Sequence, residues 1–252
     1  MLKTERRDGT LVATLSRPPV NALNGELVGR LEATLDEAIA DEAIRVLHLR
    51  SEGTLFCAGA DLALMRACFE TPEGPDTMMV VVRRMQALFS RLDSAPVVSI
   101  AEMPGAALGG GFELALACDL RIAALEAKVG LPEARLGLLP GAGGTQRLTR
   151  LCGRAVATRL ILGAEVLDGA AAERLGLVHW AVPRTELAQF AAGVAERFAK
   201  VPRTTVAANK RCIALAGQPG EAGFAEELAG TRRLYDEPEI RRRVGAFLDK
   251  AA

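Results

Sequence analysis

Residues 105–119 read GAALGGGFELALACD. Three successive glycines, Gly109 to Gly111, stand directly before Phe112, Glu113 and an apolar run with helical spacing. Glycine weakens helix and strand interiors, so its use here must lie in the backbone. The first N–H groups of a helix lack intrahelical acceptors and carry partial positive charge. Glycine removes the side chain that would keep a ligand away from them. The run VVSIA, Val97 to Ala101, follows Pro96 and reads as a buried strand. Strand, bare turn and helix in that order would aim main-chain N–H groups at a negative oxygen, as an oxyanion hole or an anion site does. A tight turn or a close helix contact would use the same glycines, and the glycines alone do not separate these readings.

Working outward, strand and helix patterns alternate up to about residue 183. Asp8-Gly9 marks a hairpin whose second arm, LVATLS, is strand-like while the first is highly charged. Asn24 is placed to cap a helix carrying Leu27, Leu31, Leu35, Ala38 and Ile39 at helical spacing. RVLHLR (45–50) alternates as a strand. Residues 62–76 contain TPEGP and read as a loop, followed by an amphipathic helix through Val82, Met85, Phe89 and Leu92. LRIAA (120–124) and LVHWAV (177–182) read as strands, with short helices at 132–133, from Thr145 and at 168–176. From Thr185 onward the pattern is helical throughout. The expectation is an α/β core over 1–183 and a helical C-terminal region over 184–252 that packs against a partner subunit.

Composition narrows the function. The 252 residues are half hydrophobic, enough for a sizeable core. Lys plus Arg and Asp plus Glu are both 31, giving zero formal net charge, and aromatic residues make up 4%. Both features disfavour nucleic-acid binding. The five cysteines show no CxxC spacing and sit among apolar neighbours, as reduced core thiols do. With a charged N-terminal stretch and no long apolar run, the expectation is a cytoplasmic protein that uses no membrane. Neither His48 nor His179 lies in a metal-binding spacing, and both read as packed strand residues; no metal is expected.

Two glutamates stand out. Glu113 lies in the first turn of a helix that is apolar nearly all round, and Glu133 follows Pro132 at a helix start. Each, taken singly, reads first as an ordinary helix-start residue. Burial would raise either pKa toward a value useful for acid–base work. FCAGAD, Phe56 to Asp61, has the small residues that let a ligand touch the main chain, or that merely end a strand in a turn. PGAGGT, Pro140 to Thr145, matches neither nucleotide-binding glycine pattern.

RPPVNALN (17–24), LFCAGADL (55–62), PGAALGGGFELALACDLRIA (104–123) and GLPEARLGLLPGAGGTQRL (130–148), in that order, resemble the crotonase superfamily, the enoyl-CoA hydratase/isomerase family. The resemblance implies a spiral of repeated ββα units with a helical C-terminal region, assembled as homotrimers or dimers of trimers. It implies an acyl-CoA thioester as substrate, with coenzyme A belonging to the substrate and no separate cofactor. It assigns the oxyanion hole to the N–H groups of Ala60 and Gly110. It assigns catalysis to Glu113, which activates water, and Glu133, which delivers a proton. Ala58, Asp61, Leu62, Phe247 and Lys250 fall at substrate-binding positions, the last two near the adenine held by a neighbouring subunit. The basic residue that hydratases often carry just after AGAD is absent, with Ala63 and Leu64 in its place. The expected reaction is addition of water across C2=C3 of an enoyl-CoA, a lyase activity. The rivals are an enoyl-CoA isomerase, which needs one carboxylate, and a non-catalytic CoA-binding scaffold on the same fold.

Overall fold

The computed structural model describes residues 1–216 and 220–251, with 248–251 described by backbone alone. Strands β1 (Leu2–Arg7) and β2 (Thr10–Leu15) form the expected hairpin across Asp8-Gly9. Both turn residues have positive φ, 43° and 80°, as a tight primed turn requires. The charged arm LKTERR becomes a strand because it is the edge of the sheet, where charged side chains face solvent and discourage further pairing.

From β2 the sheet continues in parallel through β3 (Val46–Ser51), β4 (Val98–Met103), β6 (Leu120–Ala124) and β9 (Trp180–Val182). Parallel neighbours require crossovers, and each crossover here carries an inner rung and a helix. Leu23 bridges Ala60 in parallel, and Cys57 bridges Ala107. Strand β5 (Ala107–Leu108) pairs with β7 (Lys128–Gly130), which meets β8 (Val166–Asp168). The inner ladder therefore climbs once per turn of the chain, and the repeating unit is an outer strand, an inner rung and a helix.

The helices are α1 (Gly25–Ala40), α2 (Leu62–Phe69), α3 (Gly74–Ser94), α4 (Gly110–Leu116), α5 (Gly144–Leu162) and α6 (Gly169–Arg174), then α7 (Arg184–Ala199), α8 (Arg203–Leu215), α9 (Ala222–Asp236) and α10 (Pro238–Ala251). Asn24 caps α1 as expected, accepting from the Leu27 N–H. Helix α2 occupies part of 62–76, where the sequence predicts a loop. Only Cys68 of its eight residues is buried, so its apolar pattern marks no core face. The loop signal TPEGP is confined to the break before α3. All seven residues of α4 are buried, in line with a helix apolar nearly all round. LVHWAV pairs only over 180–182.

Helix α7 lies on the outer sheet through buried Leu187, Ala191, Val194 and Ala195. Lys210 on α8 donates to Asp119 at 2.8 Å, and Asp119 in turn accepts from the Ser99 N–H and hydroxyl. His48 is buried with its Nε2 2.9 Å from Glu102, and His179 Nδ1 accepts from the Arg121 N–H. His48 is packed in β3, as its sequence context implies, whereas His179 is exposed in the bend just before β9 and not a packed strand residue, because pairing with β6 begins only at Trp180. Among the described residues no helix is long and apolar enough to cross a membrane, and no group of three or more potential ligands could hold a metal ion.

Candidate active site

Two main-chain segments of the inner ladder meet beneath α3. In the first, the Leu23 N–H donates to Gly59 and the Asp61 N–H donates to Leu23, which leaves the Ala60 N–H between them without an acceptor among the described residues. In the second, the Gly109 N–H is taken by Gly130 and the Phe112 and Glu113 N–H groups return to Gly109. The Gly110 N–H has no acceptor among the described residues. The two segments touch, and at Gly111 closely enough to require glycine. A Cβ on Gly110 would lie 3.5 Å from Ala60 N, and one on Gly111 only 2.2 Å from the Cys57 oxygen. Gly109 has φ 52°, and a Cβ there would lie 2.9 Å from Glu133 Oε1. Gly111 is thus fixed by close approach to backbone and Gly109 by its positive φ, whereas Gly110 stands at ordinary contact distance from Ala60 and presents a free donor.

Glu113 is 2% exposed, on the first turn of α4. Its Oε1 accepts from the Gly144 N–H at 2.7 Å and the Ala142 N–H at 2.8 Å. These donors, one alanine and one glycine, belong to the PGAGGT loop, which therefore holds a carboxylate. Arg147 on α5 holds that loop by donating to the Ala142 carbonyl at 3.1 Å. Burial pushes the Glu113 pKa up to about 7, aided by the nearby Glu133 charge and opposed by the two N–H bonds and Arg147. Glu133 sits on the 3₁₀ turn Pro132–Leu136. Its Oε2 is buried with no hydrogen-bond partner among the described residues, and burial raises its pKa.

Glu113, Glu133, Ala60 and Gly110 line one cavity of about 480 Å³, together with Ala58, Asp61 and Leu62. The Asp61 carboxylate is turned away from any ligand: it caps α2 through the Ala63 and Leu64 N–H groups and pairs with Arg17 at 2.7 Å. Those N–H bonds, led by Leu64, and Arg17 hold its pKa below the usual carboxylate range. Phe247 is 73% exposed on α10 and does not line the cavity. The Lys250 side chain lies outside the described residues.

Three parts of the site escaped the sequence reading. The Ala142 and Gly144 donors belong to a loop whose partner is 31 residues away in sequence. Arg147 was read only as part of a helix. The segment RPPVNALN braces the first donor loop: Arg17 donates to Ala22 O as well as to Asp61, and the Asn21 amide donates to Phe56 O at 2.9 Å. Arginine and asparagine flanking a turn were the only signal, and they do not say what they hold.

A model of the family described as enoyl-CoA hydratase/isomerase matches residues 5–252. A Bacillus subtilis protein named "Probable enoyl-CoA hydratase" is 36% identical over 95% of this chain and 92% of its own. The rat mitochondrial methylglutaconyl-CoA hydratase is 42% identical over 69% of this chain and 54% of its own, so the alignment spans about half of that relative. The crystal structure of enoyl-CoA hydratase from Bacillus anthracis superposes with a TM-score of 0.92 at 31% identity, covering 99% of this chain and 96% of that one. That from Geobacillus kaustophilus gives 0.93 at 29% identity, covering 99% and 94%. The expected ββα spiral is thereby borne out as the fold.

Proposed function

The chain belongs to the enoyl-CoA hydratase/isomerase family, and within it we propose a hydratase that adds water across the C2=C3 bond of an enoyl-CoA to give a 3-hydroxyacyl-CoA. The supporting observation is the meeting, in one cavity, of two main-chain donors without acceptors and two glutamates in contrasting environments.

The thioester oxygen docks on the Ala60 and Gly110 N–H groups. As a water oxygen attacks C3, the π electrons move through C2 onto that oxygen, and the two donors meet the developing enolate charge without reorganising. Glu113, with two N–H groups favouring its ionised form, takes a proton from the attacking water. Glu133, buried and with no donor to its Oε2, has its neutral form favoured and gives its proton to C2 as the enolate collapses. Two N–H donors on one carboxylate and none on the Oε2 of the other is an asymmetry that paired acid–base chemistry can use. Coenzyme A enters and leaves as part of the substrate, and the scheme uses no other cofactor. An isomerase would move one proton with one carboxylate and leave the second without a task.

The C-terminal helices carry Ile213, Phe224, Leu228 and Phe247, each at least 70% exposed. Large exposed apolar residues at this density favour coverage by further copies of the chain, and self-association as a trimer or dimer of trimers is part of the proposal. Sedimentation as a monomer would count against that part.

The test follows loss of enoyl-thioester absorbance over a panel of enoyl-CoAs with wild type, Glu113→Gln and Glu133→Gln. Turnover by wild type and loss of about 10²-fold or more in each variant are expected. A wild type inactive on every member, or a Glu133→Gln that keeps full rate, would defeat the scheme.

A further inference from the structure

The following rests on the acyl-CoA reading of the cavity but not on the hydration step. We propose that the acyl chain is an uncharged hydrocarbon of medium length, and that chains ending in a second carboxylate are rejected. Beyond the two donors, the cavity wall is made of side chains such as Leu64, Met65, Phe69, Met78, Val82 and Leu139. Among the described residues of that wall there is no lysine, arginine or histidine, and no hydroxyl or amide side chain. Its only polar side chains are three acids. Asp61 is already satisfied by its cap and Arg17, and Glu113 and Glu133 would repel a further negative charge. Arg17, which pairs with Asp61 of that wall, is occupied by Asp61 and Ala22, and Arg147 donates to the Ala142 carbonyl. A carboxylate carried into this wall would lose its water and find no donor, a cost that excludes it.

Size and shape point the same way. A cavity of about 480 Å³ falls in the range of sites for drug-sized ligands, more than a four-carbon acyl group and its thioester fill. The apolar wall also runs on to the surface, where Phe69 is 64% and Leu139 69% exposed. A longer chain therefore keeps burying apolar area as it extends. Four methionines, Met65, Met78, Met79 and Met85, line it, and their unbranched side chains adapt to chains of differing length.

Binding of saturated thioesters, which cannot be hydrated, tests this apart from the reaction. Octanoyl-CoA, butanoyl-CoA and octanedioyl-CoA are titrated into the full-length protein by calorimetry. Octanoyl-CoA is expected to bind at least about tenfold tighter than each of the others. Equal affinity for octanedioyl-CoA overturns the charge rule, and equal affinity for butanoyl-CoA overturns the length rule. Met78→Arg is expected to narrow the gap between octanoyl-CoA and octanedioyl-CoA at least about fivefold by supplying a partner; an unchanged gap shows that the missing cation is not its cause. Failure of all three to bind removes the acyl-CoA reading itself, whereas tight octanoyl-CoA binding with no turnover in the enoyl panel removes only hydration.

Discussion

Cys57 and Ala107 face each other in parallel register on the inner ladder, and Ala60 and Gly110 each lie three residues beyond that pair. Equal offsets from one rung bring the two free N–H groups to the same height, one at the end of a loop and one at the start of α4. The proposed oxyanion site is thus a consequence of strand register, and its two donors are no better placed than the rung that aligns them.

Gly110→Ala follows directly. The added methyl would meet Met85 Cε at 3.0 Å and Leu23 Cδ1 at 3.3 Å, side-chain ends that can yield, while standing 3.5 Å from Ala60 N. The fold should survive with a melting temperature near that of wild type. The methyl intrudes on the acceptor position shared by the donors, so kcat is expected to fall by about 10²–10³. Steady-state kinetics with a melting curve checks both; an active variant would show that the thioester oxygen docks elsewhere.

Gly144→Ala addresses the base. Its Cβ would lie 2.9 Å from both Glu113 Cγ and Oε1, and 2.9 Å from Pro140 Cβ. The carboxylate has to shift, and a shift of about 1 Å costs on the order of 10² in rate. Because the thioester donors are untouched, the loss should fall on kcat with little change in KM. A KM effect alone would place Glu113 in binding and not in proton transfer.

The parts of the site that could be read from sequence were those in which one short segment carries its own chemistry. GGGFE places a free donor and a carboxylate three residues apart, Gly110 and Glu113, on one helix start. AGAD and PE work in the same way. What could not be read is whatever depends on a partner fixed only by folding. Nothing in PGAGGT announces that Ala142 and Gly144 donate to Glu113, and nothing in RPPVN announces that Arg17 and Asn21 grip residues 56–61. Helix α2 was hidden for a related reason: it lines a cavity and buries little, so it lacks the core-facing stripe that reveals a helix. The fold was more legible than the site, because the outer strands bury most of their side chains and their apolar runs are continuous.

Arg17→Met tests the brace. The Arg17–Asp61 pair is 24% and 15% exposed at its side chains, and the same guanidinium holds Ala22 O. Removing it leaves Asp61 with only its cap bonds, at an expected cost of about 1–3 kcal/mol in urea unfolding. The loosened donor loop should also lower kcat. Arg17→Lys should recover little, since one ammonium cannot span both acceptors in the planar arrangement. Full recovery by lysine would reduce the brace to simple charge.

The Glu113 environment makes a final prediction about pH, in rate and stability together. The group must be ionised to take a proton, so kcat/KM should rise with pH through an apparent value near 7. The stability effect has the opposite sign. A carboxylate raised from 4.5 to about 7 binds its proton more tightly folded than unfolded. Between those values the native state holds more protons, so this group's contribution to stability falls as pH rises and is fully lost above about 7. Glu113→Gln removes that penalty while its amide oxygen can still accept from Ala142 and Gly144. The variant should therefore be more stable than wild type by up to about 3 kcal/mol at pH 8, with the advantage shrinking toward pH 4.5, while its activity is low at every pH. Urea unfolding at several pH values checks the trend. A variant no more stable than wild type at pH 8 would mean that Glu113 titrates near its ordinary value and that burial does not set its chemistry.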